Sequence, residues 1–258
     1  VGDGLLVLDP TGSEYRYPDR WSASHETYMH NPVTGKVYRA ELPPPEDNLR
    51  EYTAILVLHQ DGSADFERTI RGTGEVEEYY RWVLRMTDPE RLRLRVEKIA
   101  NAYAPGATVK ESRWGGVKDL EKPLWWRVAA YLPNYANRAG SFMLVPIPGI
   151  EYRFDEVALE KRKYAIQYST TYAEHNRVEI VVPRGWKVYS TPEPLEIKEK
   201  HVEYTFRVTV EGDRIVVEDL FRRTRRFVQP EDYPAYRDAL RRIAAHSEGR
   251  IVLVKEGE

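Results

Sequence analysis

The chain has 258 residues, 41% of them hydrophobic and 31% charged, with 39 Lys and Arg against 41 Asp and Glu for a net charge of −2. That balance suits one large β domain or two modest ones, and it excludes a disordered segment, a basic nucleic-acid footprint and an acidic tail. The absence of cysteine excludes disulfides, thiolate metal sites and thiol nucleophiles together, and the apolar runs, such as Ile55-Leu56-Val57-Leu58, are far too short to span a bilayer.

The chain starts at Val1, with no charged leader or cleavage pattern, and Leu5 to Leu8 reads as a short strand closed by the turn Asp9-Pro10-Thr11-Gly12. A strand that begins so abruptly suggests a preceding segment. His25 to Met29 and Lys36 to Leu42 flank the hairpin loop Asn31-Pro32-Val33-Thr34-Gly35, and Pro43-Pro44-Pro45 is a stiff spacer that marks a boundary. Tyr52 to His59 and Ala64 to Ile70 form a hairpin around Asp61-Gly62. Val76, Tyr79, Tyr80, Val83 and Leu84 recur at helical spacing between Gly74 and Met86. Thr87-Asp88-Pro89-Glu90 restarts the helix in capping-box form, and Pro105-Gly106 stops it. Strands follow at Ala107 to Trp114, Trp125 to Leu132 and Ser141 to Val145. Lys163 to Tyr172 and Arg177 to Val182 sit either side of Glu174-His175-Asn176, a hairpin by its polar centre. Glu196 to Lys200, Val202 to Val210 and Arg214 to Phe221 are further strands; a helix opens at Pro230-Glu231-Asp232 and Ile251 to Val254 closes the chain. The expected fold is mainly β of α+β type: a large antiparallel, sandwich-like region with helices near 74–103 and 230–246. Residues 1–45 and 46–258 are the expected units, with a subdomain break near 150.

At Leu8-Asp9-Pro10-Thr11 the chain resembles a bacterial family with an N-terminal domain of unknown function, a transglutaminase-like core related to papain-type proteases, and a C-terminal β region. Leu42-Pro43-Pro44-Pro45-Glu46-Asp47-Asn48 resembles the family's linker. Gly72-Thr73-Gly74-Glu75, Tyr103-Ala104-Pro105-Gly106-Ala107 and Pro230-Glu231-Asp232-Tyr233-Pro234-Ala235-Tyr236-Arg237 continue the resemblance nearly to the end. It implies that Asp9 is the orienting member of a Cys-His-Asp triad whose other members precede it, and that the location is periplasmic or otherwise extracytoplasmic. An orienting carboxylate without nucleophile and base does no chemistry, so this chain alone is expected to be a non-catalytic accessory module of a core in cis. That intact parent would act on a peptide or protein carbonyl.

The other candidates each have a plain alternative. Asp9 before Pro10 is also an ordinary turn residue. His25 and His30 fall on opposite faces of a strand, and the remaining histidines are dispersed, so no metal or other cofactor is expected and solvated loop positions are the default. Trp125 and Trp126 are the candidate binding residues for a glycan or protein ligand; adjacent strand residues face opposite ways, so only one can join a given core. Arg222, Arg223, Arg225 and Arg226 read first as a charged strand end rather than an anion site. A stand-alone binding module using exposed aromatics is the second reading, and a carboxylate hydrolase the third, requiring two convergent acids in a pocket. Without its core, the arm formed by residues 1–45 is expected to be mobile or to pair with another chain's edge.

Overall fold

The computed structural model describes residues 13–16, 18, 19 and 21–256, and is mainly β, with 40% strand and 22% helix. The strands are β1 (Tyr28–His30), β2 (Val37–Arg39), β3 (Leu49–Leu58), β4 (Ala64–Gly72), β5 (Thr108–Gly115), β6 (Trp125–Leu132), β7 (Asn137–Ala139) and β8 (Phe142–Pro146). They continue with β9 (Ile166–Gln167), β10 (Tyr172–Val181), β11 (Trp186–Ser190), β12 (Leu195–Lys198), β13 (Val202–Glu211), β14 (Arg214–Arg223), β15 (Phe227–Val228) and β16 (Arg250–Lys255). Helices α1 (Gly74–Met86) and α2 (Pro89–Tyr103) follow β4, and α3 (Tyr233–Ser247) precedes β16.

Alternation builds the main sheet. Tyr52, Ala54, Leu56 and Leu58 of β3 are buried while Thr53, Ile55 and Val57 face outward, and the same period-2 pattern runs through β4, β6, β10, β13 and β14. Eight strands join in the order β12-β13-β14-β10-β3-β4-β6-β5. Every pair is antiparallel except β10 with β3, which run parallel from Ala173 opposite Leu49 to Val181 opposite Val57. Parallel neighbours need a long crossover, and this one carries α1, α2 and the six strands β4 to β9. Strands from both sides of residue 150 thus share one sheet as two blocks that meet at the β10–β3 pair.

One face is covered. Met143, Val145, Ile251 and Leu253 of the four-stranded sheet β11-β16-β8-β7, and Tyr236, Leu240 and Ile243 of α3, share a core with Leu56, Phe66, Ile180 and Val217. Leu84, Leu92 and Val96 of the α1–α2 pair form a second cluster with Leu124, Trp126 and Val128. Full burial of each such side chain contributes about 1.5–3 kcal/mol. The opposite face is open and laced with ion pairs such as Arg177–Glu218 and Arg207–Glu218, both at 2.7 Å.

The expected elements recur with three corrections. The strand expected over Lys163 to Tyr172 shrinks to the two-residue β9, and Tyr172 instead opens β10. Glu174, His175 and Asn176 are not a hairpin turn; β10 runs unbroken through them, and Glu174 and Asn176 point inward where side-chain partners satisfy them. The cap of α2 is Asp88, whose carboxylate accepts the Arg91 N–H at 3.0 Å, while Thr87 ends α1 by donating its N–H to Val83 O at 3.2 Å. The expected strand at Leu5 to Leu8 lies outside the described residues. Among the described residues, no helix is long and apolar enough to cross a membrane.

Candidate functional site

The arm that precedes β3 lies along α1, and α1 is built to receive it. The chain enters the helix through Gly74 at φ +55°, where a side chain would meet Asp47 O and the Asn48 amide; glycine alone takes that path at no steric cost. Asp19 accepts the Gly74 N–H at 3.2 Å, at the positive end of the helix dipole. Burial nevertheless raises the Asp19 carboxyl above its usual range, with Glu77 and Asp47 adding to the shift. At the next residue, the Glu75 carboxylate accepts the Tyr15 hydroxyl at 2.8 Å and the Ser22 N–H at 2.6 Å. At the far end of α1, Arg85 pairs with Glu14 and donates to Ser13 Oγ at 3.4 Å.

Beneath this contact line, Glu77 and the fully buried Arg81 form an i,i+4 ion pair at 2.7 Å. Arg81 also donates to Lys122 O at 2.6 Å and to Gly116 O, while Glu77 accepts the Leu124 N–H at 2.8 Å. Arg16 of the arm reaches the same group through Glu77 Oε2 at 3.4 Å and Leu120 O at 3.0 Å. Arm, helix and the 116–124 loop are thus joined through one buried carboxylate.

The second anchorage uses the arginine cluster. Arg223 lies 3.7 Å over the Tyr168 ring, Arg226 donates to His25 O at 2.9 Å, and Arg222 pairs with Glu203 at 2.6 Å and with Glu46. Arg225 is exposed. The three engaged arginines fasten loops to a strand end and do not converge on one patch. His25 is 4% exposed and its Nδ1 lies 3.0 Å from Thr170 Oγ1, so it is a buried joint and not the solvated loop histidine expected. Within the arm Glu14, Ser22, His25 and Ala40 are buried, while the β1–β2 hairpin is largely exposed, Val33 at 91%. Asp9 lies outside the described residues.

Trp125 and Trp126 face opposite ways. Trp126 is buried under α1 and α2 and donates its indole N–H to Ser112 Oγ at 3.0 Å. Trp125 is half-buried on the open face over Gly115, where a side chain would strike its indole. Only Trp125 of the pair presents surface to a ligand.

Two acids do converge, in a place the sequence reading missed. Asn176 Nδ2 donates to Asp219 Oδ1 at 2.8 Å and to Glu174 Oε1 at 3.0 Å. Tyr152 and Tyr204 donate to Asp219 Oδ2 at 2.8 and 3.1 Å, and Arg50 and Tyr172 bind Glu174. Burial, chiefly, pushes the Asp219 carboxyl up to about 7 against the pull of these donors, with Glu174 adding to the rise. Asp219 Oδ1 accepts one donor and Oδ2 two, all from core side chains, and the residue is buried, so the group organises the interior. The signal was present in sequence: Asp219 shares the odd phase of Ile215, Val217 and Phe221.

The fold and these joints define a mainly β module whose N-terminal arm is clamped to its own helix. A family described as a "Domain of Unknown Function with solved-structure structure (DUF3858)" matches residues 141–253, from the start of β8 into β16. No curated protein matches the chain. Among solved structures, a "putative protease" from Parabacteroides distasonis ATCC 8503 is 17% identical, over 45% of this chain and 24% of its own, at a TM-score of 0.39. Baculovirus P35 is 8% identical over 80% of this chain and 95% of its own, at a TM-score of 0.19. The match thus spans about a quarter of the length of the Parabacteroides protein, and neither score amounts to a shared fold.

Proposed function

We propose that this chain is a non-catalytic accessory module that holds the polypeptide leaving a transglutaminase-like core in cis, anchoring to α1 the segment that follows the core's last strand and its Asp9 turn. The observation that carries this reading is the double grip on the arm directly after that turn: Glu75 binds Tyr15 and Ser22, and Arg85 binds Ser13 and Glu14. A strand delivered at a fixed position and angle is what an orienting carboxylate needs, since its task is to hold an imidazole in one geometry. The Leu8-Asp9-Pro10-Thr11 resemblance supplies the identity of the core, and the family match over residues 141–253 supports a recurrent module. A periplasmic or extracytoplasmic setting and a peptide or protein substrate of the parent follow from the same resemblance.

The test is to extend the chain by the in-frame coding sequence upstream of Val1 and treat the product with a thiol-reactive probe. The expected result is a single reactive cysteine whose labelling needs an upstream histidine and falls about tenfold or more with Asp9→Ala. An upstream sequence with no cysteine, or labelling indifferent to Asp9, overturns the reading.

A further inference from the structure

The outward face of α1 is apolar where a surface helix is ordinarily polar. Tyr79, Trp82 and Met86, spaced i, i+3 and i+7 along one stripe, are 45%, 51% and 62% exposed. Tyr79 is held in place by the Arg95 guanidinium, which donates to its hydroxyl at 2.6 Å, and by the Tyr80 ring at 5.4 Å. The Trp82 indole makes no hydrogen bond and no ring contact among the described residues, although an indole N–H at an interface ordinarily finds a partner. Arg85, between Trp82 and Met86 in sequence, is the residue that grips Ser13 and Glu14. Ser13 and Glu14 therefore lie beside the stripe.

We propose that the Tyr79–Trp82–Met86 stripe is the docking face for the folded domain that precedes the arm in the same polypeptide. The inference rests on the accessory reading for the existence of that domain, and adds where the domain sits. Area decides between occupants. Three half-exposed side chains offer roughly 100 Å² each, far less than the roughly 800 Å² per partner of a stable free-standing interface. A second copy would find too little surface here. A domain tethered through the gripped arm needs no such area, because the tether sets a high effective concentration.

The chain provides its own probe. Its three methionines are Met29, Met86 and Met143, and Met143 is fully buried while Met86 is the most exposed residue of the stripe. Thioether oxidation by hydrogen peroxide, followed by peptide mass spectrometry, reads Met86 against Met143 as an internal reference. In the 258-residue chain Met86 is expected to oxidise at least tenfold faster than Met143. In the upstream-extended protein its rate is expected to fall fivefold or more, and Trp82→Ser is expected to restore it. An unchanged Met86 rate in the extended protein overturns the docking face while leaving the accessory reading intact. Protection by an upstream domain without a thiol nucleophile keeps the docking face and sinks the accessory reading. Protection that grows over a hundredfold rise in concentration of the 258-residue chain assigns the face to a second copy and overturns the proposal, as does an upstream frame encoding no domain.

Discussion

Asp219 and Asn176 stand opposite each other on adjacent antiparallel strands and are joined by a 2.8 Å hydrogen bond at the centre of the main sheet. Because burial raises the Asp219 carboxyl from 3.8 to about 7, the folded state binds a proton there that the unfolded chain has already released. The contribution of this group to stability is greatest below the unfolded value. It is lost as pH rises from about 4 to about 7 and is flat above. Asp219→Asn keeps the shape and removes the titration. Urea midpoints of both proteins between pH 4.5 and 8 should show the wild type losing about 1.4 kcal/mol per pH unit relative to the variant within that window. Parallel curves would mean that Asp219 remains ionised throughout.

Among the described residues Glu77 is the only carboxylate paired with the fully buried Arg81, and it also accepts the Leu124 N–H. Glu77→Ala leaves a buried cation without its counter-charge and a buried donor without an acceptor, a loss of about 3–5 kcal/mol. Glu77→Gln retains an acceptor for Leu124 and should cost less. By contrast Glu90, exposed on α2 and paired with Arg93, should contribute little, since solvent screens an exposed ion pair. The measurement is the shift in urea midpoint at constant slope; equal shifts for Glu77→Ala and Glu90→Ala would refute the ranking.

The helices and most strands were legible because their periods are strong. Val76, Val83 and Leu84 mark α1, and Asp61-Gly62 marks the β3–β4 turn. Glu174-His175-Asn176 misled for a physical reason: three polar residues in a row look like a turn, and only their partners on β14 and β3 show that two of them are core residues. The parallel β3–β10 pairing has no local signal at all, since it joins segments over 120 residues apart in sequence. The grip on the arm was equally hidden. Glu75 and Arg85 are unremarkable helix-surface residues until the fold lays Tyr15, Ser22 and Glu14 beside them.

Gly149 tests the packing of the main core. Its φ of +81° disfavours any side chain, and an added Cβ would strike the Tyr52 ring, itself fully buried and hydrogen-bonded to the Tyr103 hydroxyl at 3.1 Å. Gly149→Ala combines backbone strain of about 1–3 kcal/mol with overpacking of similar size. Gly212→Ala, at φ +62° with open space around it, isolates the backbone part. The difference between the two melting shifts reads the Tyr52 clash; if it is zero, the ring has room to move.

The grip of Glu75 is measurable in the chain as it stands. Arg16 and Arg20 place two trypsin bonds between Tyr15 and Ser22, the two residues whose donors Glu75 accepts. A protease needs several residues of extended, freed backbone, so cleavage there follows local opening of the arm rather than global unfolding. Removing both hydrogen bonds with Glu75→Ala should shift that opening equilibrium by about 1–3 kcal/mol. Cleavage after Arg16 and Arg20 would then run about five- to a hundredfold faster, while the urea midpoint of the body moves little. Glu90→Ala, on the other helix and away from the arm, sets the baseline. A Glu75→Ala protein cut no faster than that control would show that the arm is held by Arg85, Asp19 and Arg226 without it, and would shift the anchoring role to the two ends of the arm.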